Sequence, residues 1–337
     1  MRASKALAVV ATVIAAAAIS AHAAPPPPPP GPVAHRTEIV LLGTKGGPTA
    51  DAQRSEPATL LVVDGAPYLV DAGEGTARQL AAAGFAPPAV RTVLITHHHL
   101  DHTAGLEPLI ALTWIGAGLR GLEKPPMAIY GPPATRELVS AALGYIAVSE
   151  RIFRAGIPTL PTAASMVAAH DLDGRGGVAF RDDHLVVRDV ENSHFGHASS
   201  GPGGVRDLSL SYRFETPAGA VVVTGDTGPS AAVTALAKGA DVLVSEVYVA
   251  ADPKPGTPPP PPGSLAAQLA EHMSQEHLSP EAVARLAVDG GVRTLVLTHL
   301  VVPDDPAVAD RLKARIGAIF KGEVIVGSDL ARIVLPR

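Results

Sequence analysis

The amino-acid sequence predicts an α/β fold in which strands and helices alternate along the chain. Short apolar strands and helical segments follow one another over most of the 337 residues, an order that is typical of layered α/β domains. Hydrophobic residues make up 47% of the chain and charged residues 18%, which is enough apolar material for a large core. Polar residues able to bind metals come directly after several strands, where a rigid scaffold can direct them into one cavity.

The first 23 residues predict a secretory signal peptide. Arg2 and Lys5 precede an apolar run, and Ala21-His22-Ala23 has the small residues of a cleavage site. The run is shorter than the roughly 20 apolar residues needed to span a bilayer, so we expect no stable membrane insertion. Residues 24–36 are rich in proline and predict a stiff linker. We therefore expect a periplasmic or secreted protein whose globular domain covers residues 37–337.

The charge of the predicted mature chain argues against a nucleic-acid partner. The formal net charge is −5, and removing the two basic residues of the signal peptide makes it −7. Proteins that bind nucleic acid usually carry a net positive charge or a dense basic stripe, and the sequence has no such cluster. The chain also has no cysteine, so oxidising surroundings pose no thiol problem.

Residues 37–146 predict five strands and three helices around a histidine-rich motif. The strands are predicted at residues 37–42, 58–63, 67–70, 93–95 and 127–130, and the helices at 76–83, 106–119 and 134–146. Asp64-Gly65 supplies the tight turn of a hairpin between the second and third strands. This half of the chain therefore predicts one sheet with helices packed on it.

The second half of the chain repeats this alternation. Strands are predicted at residues 185–190, 208–215, 220–223, 242–244, 295–297 and 323–327, and helices at 233–238, 280–286 and 307–320. Five consecutive prolines at Pro258–Pro262 exclude a helix or a central strand and predict an exposed loop. Residues 150–180 mix Pro, Gly and scattered apolar residues, and they can either cover a site or pack against the core.

The motif THHHLDH follows a buried strand and predicts a metal site. Imidazoles and a carboxylate so close together suit a borderline-soft divalent ion such as zinc. In an extended turn His97 and His99 point to one side, whereas Asp101 and His102 reach a second position beside it. His98 has the opposite parity and is expected to face away.

Two further side chains follow apolar strands and have the chemistry of metal ligands. Asp226 comes after a strand and a glycine, and His299 after another strand. Each has an ordinary alternative, since an Asp often caps a turn and a histidine can sit at the edge of a core. A catalytic metal centre needs ligands from several elements and an open position, so the histidine motif favours metal binding for both.

Six short motifs, taken in order, resemble the ribonuclease Z-like branch of the metallo-β-lactamase superfamily. They are Leu42-Gly43-Thr44, Asp71-Ala-Gly-Glu-Gly, the histidine motif, Tyr130-Gly-Pro-Pro, Gly225-Asp226-Thr and Leu297-Thr-His299. That branch also contains phosphodiesterases and some arylsulfatases. The resemblance covers about residues 37–337, and it implies a four-layer αβ/βα sandwich with two mixed sheets and the helices outside.

The resemblance also implies a dinuclear centre with two Zn²⁺ ions, or with iron or manganese in their place. It assigns one ion to His97, His99 and His194, and the other to Asp101, His102 and His299, with Asp226 as the bridge. His197 competes with His194 for the same place, and the context Asn-Ser-His194-Phe favours His194.

A catalytic pair is implied by two further matches to this branch. Ser-Glu246 resembles its acidic strand end, and His277-Leu-Ser resembles its histidine–hydroxyl motif. Glu246 is expected to orient His277, which would protonate the leaving oxygen; the alternative is a histidine that caps the next helix. Asp101 is counted as catalytic as well as a ligand. Asp71 is expected to hold a ligand imidazole or to cap a helix, and His272 is expected to be a solvated helix residue.

Together these features predict an exported dinuclear hydrolase that cleaves a phosphodiester or a sulfate ester in a small-molecule substrate. The alternative is a ribonuclease Z-like endoribonuclease, which the negative charge disfavours. A β-lactamase or lactonase is a further alternative, and the matches at Glu246 and His277 count against it. A non-catalytic metal-binding protein is the last, and the complete ligand set argues against it. The sequence leaves a homodimer open.

Overall fold

Two mixed seven-stranded β-sheets form the centre of the computed structural model, which describes residues 35–121, 125–196, 206–250 and 258–335. The strands are β1 (Thr37–Gly43), β2 (Ala58–Val63), β3 (Ala66–Val70), β4 (Thr92–Leu94), β5 (Met127–Gly131), β6 (Val167–Asp171), β7 (Gly177–Arg181), β8 (Val186–Glu191), β9 (Leu210–Thr216), β10 (Gly219–Val223), β11 (Val242–Tyr248), β12 (Thr294–Val301), β13 (Glu323–Val326) and β14 (Arg332–Val334).

The strand order is β14-β1-β2-β3-β4-β5-β6 in the first sheet and β13-β12-β11-β10-β9-β8-β7 in the second. In each sheet one half is parallel and the other antiparallel. Strands β3 to β6 run parallel in the first sheet, and β10 to β13 run parallel in the second. The parallel halves carry the loops that bring polar side chains together at one edge of the sandwich.

Helices cover the outer face of each sheet. They are α1 (Thr76–Ala82), α2 (Leu100–Thr103), α3 (Leu106–Gly118), α4 (Thr135–Gly156), α5 (Ala231–Ala237), α6 (Leu265–Glu276), α7 (Pro280–Gly290) and α8 (Val308–Gly317), with short 3₁₀ helices at Pro87–Ala89 and Ala163–Met166. One apolar core joins α1, α3 and α4 to the first sheet, a second lies between the sheets, and a third joins α5, α7 and α8 to the second sheet. The expected four-layer αβ/βα sandwich is thus confirmed.

Most predicted elements are present, and the differences fall where the local pattern was weak. Helix α4 continues ten residues beyond the predicted end at 146, into the segment 150–180, which also holds the edge strands β6 and β7. The bounds of helix α6 and the short strand β14 were not predicted. Strand β11 extends four residues beyond the apolar run 242–244. The prediction stopped at 244 because the next two residues, Ser245 and Glu246, are polar.

Several predictions concern segments outside the described residues. The signal peptide and nearly all of the proline-rich linker fall there. The prolines at Pro258–Pro262 are described, and they form neither helix nor strand, as predicted. Among the described residues, no helix is both long and apolar enough to cross a membrane.

Candidate metal centre

The histidine motif leaves the end of β4 and turns at once into α2. The carbonyl of His99 accepts hydrogen bonds from the backbone N–H of His102 (3.1 Å) and from the hydroxyl of Thr103 (3.0 Å). This turn places Asp101 and His102 in the first turn of α2, behind the extended residues His97 and His99. As predicted, His98 faces away, and its Nε2 contacts Thr135 Oγ1 at 2.9 Å.

A first cluster of nitrogen atoms brings His97 and His99 together with His194. Atom Nδ1 of His99 lies 3.0 Å from Nε2 of His97 and 3.1 Å from Nε2 of His194. His194 reaches this place because the amide oxygen of Asn192 accepts its backbone N–H at 3.0 Å and shapes the turn after β8. The competing His197 lies outside the described residues.

A second cluster consists of Asp101, His102, Asp226 and His299, and its ligand atoms all lie within 4.8 Å of one another. Atom Oδ2 of Asp101 is 3.3 Å from Nε2 of His299 and 3.7 Å from Nε2 of His102. His299 lies within β12, beside an irregularity in its pairing with β11, and has a positive φ of 40°. Such a backbone is strained for a residue other than glycine and is found at functional sites.

Asp226 lies between the two clusters. Its Oδ2 atom is 3.0 Å from Nε2 of His299 and 3.4 Å from Nε2 of His102. The same atom is 3.9 Å from Nε2 of His97 and 4.0 Å from Nε2 of His194. Its other oxygen, Oδ1, is buried without a hydrogen-bond partner. A buried carboxylate oxygen without a partner is costly, and a cation at this point would satisfy it.

Two of the ring nitrogens that point away from the centre are held by other groups, whereas His299 Nδ1 is buried without a hydrogen-bond partner. Asp71 Oδ2 contacts His102 Nδ1 at 2.8 Å, and the carbonyl of Glu276 accepts from His194 Nδ1 at 3.0 Å. Asp71 also accepts the backbone N–H of Thr96 at 2.7 Å, and the residue that precedes α1 is Gly75. Asp71 therefore supports a candidate ligand and does not cap the helix. Such outer contacts orient metal-binding imidazoles, so the residues present fit divalent ions.

The charge states of the two clusters differ. Burial lowers the pKa of His97 and His99, and brings the pKa of His194 to about 3. These imidazoles are therefore neutral at neutral pH, as metal binding requires. Burial acts to raise the pKa of Asp101, but the hydrogen bond with His299 and the charges of His102 and His299 lower it to about 2. Asp101 is thus an ionised carboxylate.

Glu246 and His277 form a buried pair beside the second cluster. Glu246 Oε1 accepts the backbone N–H of Thr227 at 2.8 Å, and Oε2 accepts from His277 Nδ1 at 2.7 Å. His277 precedes α7, whose first turn is capped by Ser279 and begins with Pro280. Although burial alone lowers the pKa of His277, the Glu246 carboxylate raises it above its usual value. The expected contact between the two side chains is present.

A cavity of about 570 Å³ opens onto both clusters. Its walls include Asp101, Asp226, His277 and His299, with apolar side chains from α6 and the end of β12. A volume of this size is typical of a small-molecule pocket. The polar groups therefore face a space that can hold part of a substrate.

His272 was expected to be a solvated helix residue; it lies in α6 with 38% of its side chain exposed, but its place on the cavity wall was not predicted. Helix α6 places it on the wall of the same cavity, with its ring centre 6.0 Å from those of His194 and His277. Its Nδ1 is held by Glu276 Oε2 at 2.9 Å, four residues along the helix. Phe195 was also missed, and its ring packs edge-on against His97 and His99. The only sequence signal for Phe195 is its position next to His194.

Comparison with known proteins agrees with this geometry. Residues 67–300 match the sequence family described as the beta-lactamase superfamily domain. Ribonuclease Z from Mycobacterium sp. (strain KMS) is 33% identical over 296 residues, which cover 88% of this chain and 95% of that protein.

The chain belongs to the ribonuclease Z-like branch of the beta-lactamase superfamily. Two solved structures share its fold. The metallo-beta-lactamase fold protein YhfI from Bacillus subtilis has a TM-score of 0.63 at 20% identity, covering 89% of this chain and 99% of that one. The short form of human tRNase Z has a TM-score of 0.62 at 19% identity, covering 89% and 100%. Membership makes the chain a hydrolase of this superfamily, whose fold implies divalent metal ions.

Proposed function

We propose that this protein is a metal-dependent phosphodiester hydrolase that holds two divalent ions, with zinc as the first candidate. One observation carries the proposal: a single oxygen of Asp226 lies within 4.0 Å of ring nitrogens from both clusters. In this arrangement His97, His99 and His194 would hold one ion, Asp101, His102 and His299 would hold the other, and Asp226 would be shared by both. When bound, the two ions lower the pKa of water and offset negative charge on the esterified phosphoryl group.

The remaining chemistry belongs to side chains of the cavity wall. The Glu246 carboxylate accepts a hydrogen bond from Nδ1–H of His277 and fixes the plane of the ring, which leaves Nε2–H to donate a proton to the leaving oxygen. The raised pKa keeps His277 protonated to higher pH than a free imidazole. General acid catalysis of this kind contributes a factor of about 10²–10⁴.

RNA is the substrate that the relatives favour. The chain covers 95% of the length of the mycobacterial ribonuclease Z at 33% identity, which supports cleavage of an RNA phosphodiester ahead of a sulfate ester. A small phosphodiester is the second candidate, supported by the cavity volume of about 570 Å³ and by the net negative charge. Export through the predicted signal peptide would also favour the small substrate.

A substrate panel tests this proposal. Metal-free and zinc-loaded protein would be assayed with bis(nitrophenyl) phosphate, a nucleoside nitrophenyl phosphate, a precursor tRNA, a nitrophenyl sulfate and a chromogenic β-lactam. We expect zinc-dependent hydrolysis of phosphodiesters, and the ratio of precursor tRNA to small diester decides between the two candidates. Hydrolysis of the sulfate or the lactam alone would overturn the proposal.

A further inference from the structure

Residues 45–54 form a loop that contributes residues 45–49 and 54 to the cavity wall, and one carboxylate fixes both ends of this loop. Asp329 accepts the backbone N–H of Thr44 at 3.0 Å through Oδ1 and that of Ser55 at 2.7 Å through Oδ2. The backbone N–H of Lys45 donates to the carbonyl of Ser55 at 3.0 Å. These bonds hold Lys45 and Arg54 side by side, at the start and the end of the loop.

The same loop is packed directly against the candidate metal centre. The backbone N–H of Gly47 donates to Asp101 Oδ2 at 3.0 Å. A Cβ atom on Gly46 would lie only 2.6 Å from His299 Nδ1, so a larger residue there would collide with the imidazole. The position of the loop relative to both residues is therefore set by close backbone contact.

Among the described residues that line this cavity, Lys45 and Arg54 are the two with a basic Lys or Arg side chain. The ammonium of Lys45 donates to the neutral hydroxyl of Thr49 at 2.7 Å, a contact that leaves its charge in place. Arg54 has a longer ion pair, with Nε 3.7 Å from Asp51 Oδ2, while Asp51 Oδ1 accepts the N–H groups of Gln53 and Arg54. Both cations can therefore still contact an anionic ligand.

We propose that Lys45 and Arg54 form a subsite for one further phosphate group of the substrate, next to the phosphodiester that is cleaved. This inference rests on the proposed function, since it places the reacting phosphoryl group at the metal clusters. The apolar side chains Leu269, Met273 and Val301 line the same cavity and would face the nucleoside between the two phosphates. Arginine and lysine are the side chains that bind phosphate most directly.

Acidic side chains limit the subsite to a single phosphate. A second cavity of about 600 Å³ adjoins the first and shares Lys45 and Arg54 with it, but Asp51, Asp304 and Asp305 also line it. Asp304 is exposed. A polyanion that continued past the two cations would meet these carboxylates, and like charges at short range repel. The two cations therefore account for one phosphate beyond the reacting phosphodiester, and further phosphates of a longer chain would gain no attraction from this side of the cavity.

Equilibrium binding tests the subsite without turnover. Zinc-loaded protein would be titrated calorimetrically with a nucleoside 5′-monophosphate, the 3′,5′-bisphosphate, and an oligonucleotide in which the 3′-phosphate is an internal diester. We expect the bisphosphate to bind about tenfold more tightly than the monophosphate, the usual scale for a charge-assisted contact. A gain with the bisphosphate alone identifies a terminal phosphate, and an equal gain with the oligonucleotide identifies a chain phosphate. Equal binding of all three, or a further tenfold gain with the oligonucleotide, would overturn the proposal.

Variants assign the effect to the two residues. In Lys45→Met and Arg54→Gln the ratio of bisphosphate to monophosphate affinity should fall several-fold, and in the double variant it should approach one. Lys313→Met, an exposed change on α8, is the matched control and should keep the wild-type ratio. A ratio that survives in the double variant would contradict the subsite. Parallel assays with nitrophenyl phosphodiesters separate the two proposals, because loss of the binding ratio with catalysis intact affects only the subsite.

Discussion

The two sheets contribute to the candidate metal centre in different ways. The first sheet supplies His97, His99, Asp101 and His102 from one continuous stretch that runs from the end of β4 into α2. The second supplies its three residues from separate places, after β8, after β10 and within β12. Local chain geometry fixes the spacing of the first set, whereas the register of a whole sheet fixes the second. The centre is therefore complete only when the two sheets pack together.

The largest loss of metal and activity is expected from a change at Asp226, the residue of the second sheet that lies between the two clusters. Asp226→Ala should lose both ions and lower kcat/KM by at least about 10³, since the bridge serves both sites and each tenfold corresponds to about 1.4 kcal/mol. Metal analysis and kinetics measure both quantities. Asp189→Asn, a buried change on β8 of the same sheet, is the control and should keep both ions. Full metal content in Asp226→Ala would contradict the bridging role.

The next effect concerns His277, which lies between α6 and α7 and is assigned to neither ion. His277→Ala should lower kcat by about 10²–10⁴ while both ions stay bound, because only the proton donor is lost. The loss should be smallest for nitrophenolate leaving groups, which need little protonation. His272→Ala provides the comparison, since His272 lies on the same cavity wall but is held by Glu276 instead of Glu246. Equal losses on good and poor leaving groups would indicate a positioning role for His277.

A smaller effect, on metal affinity, is expected from a change at Asp71, which contacts a candidate ligand of the first sheet. Asp71→Asn removes the charge that orients His102, and changes of this kind weaken metal affinity by about 10- to 100-fold. Competition with a chelator measures the affinity of each ion. The second-cluster ion should be weakened more than the ion at His97, His99 and His194. Equal weakening of both ions would contradict a role of Asp71 that acts through His102.

The smallest effect is a shift in pH dependence. The Glu246 carboxylate raises the pKa of His277. The imidazole therefore stays protonated to higher pH than a free histidine, and kcat should fall as the pH rises through the raised pKa. The contribution of this pair to folding stability also decreases as the pH rises. It is complete below the unfolded-state pKa of about 6.5 and is lost as the pH rises through the raised pKa of the folded state. In Glu246→Gln the alkaline limb of the kcat profile should move to lower pH. An unchanged limb would assign it to another group.

The same contrast explains what the sequence could predict. The histidine motif after β4 could be predicted as a metal site because its candidate ligands are close together in the sequence. Asp226 and His299 could be predicted because each follows an apolar strand. The length of α4 and the bounds of α6 could not be predicted, since tertiary packing outweighs weak local preference. The cavity position of His272 depends on how α6 lies over the site. The loop with Lys45 and Arg54 depends on Asp329, which is more than 270 residues away in the chain.

Crystals of the zinc-loaded protein would test the central claim most directly, through anomalous scattering measured at the zinc edge. The account predicts two peaks per chain about 3.5–4 Å apart, one next to His97, His99 and His194 and the other next to Asp101, His102 and His299. Asp226 would contact both peaks. A single peak, or two peaks that do not share Asp226, would contradict the account.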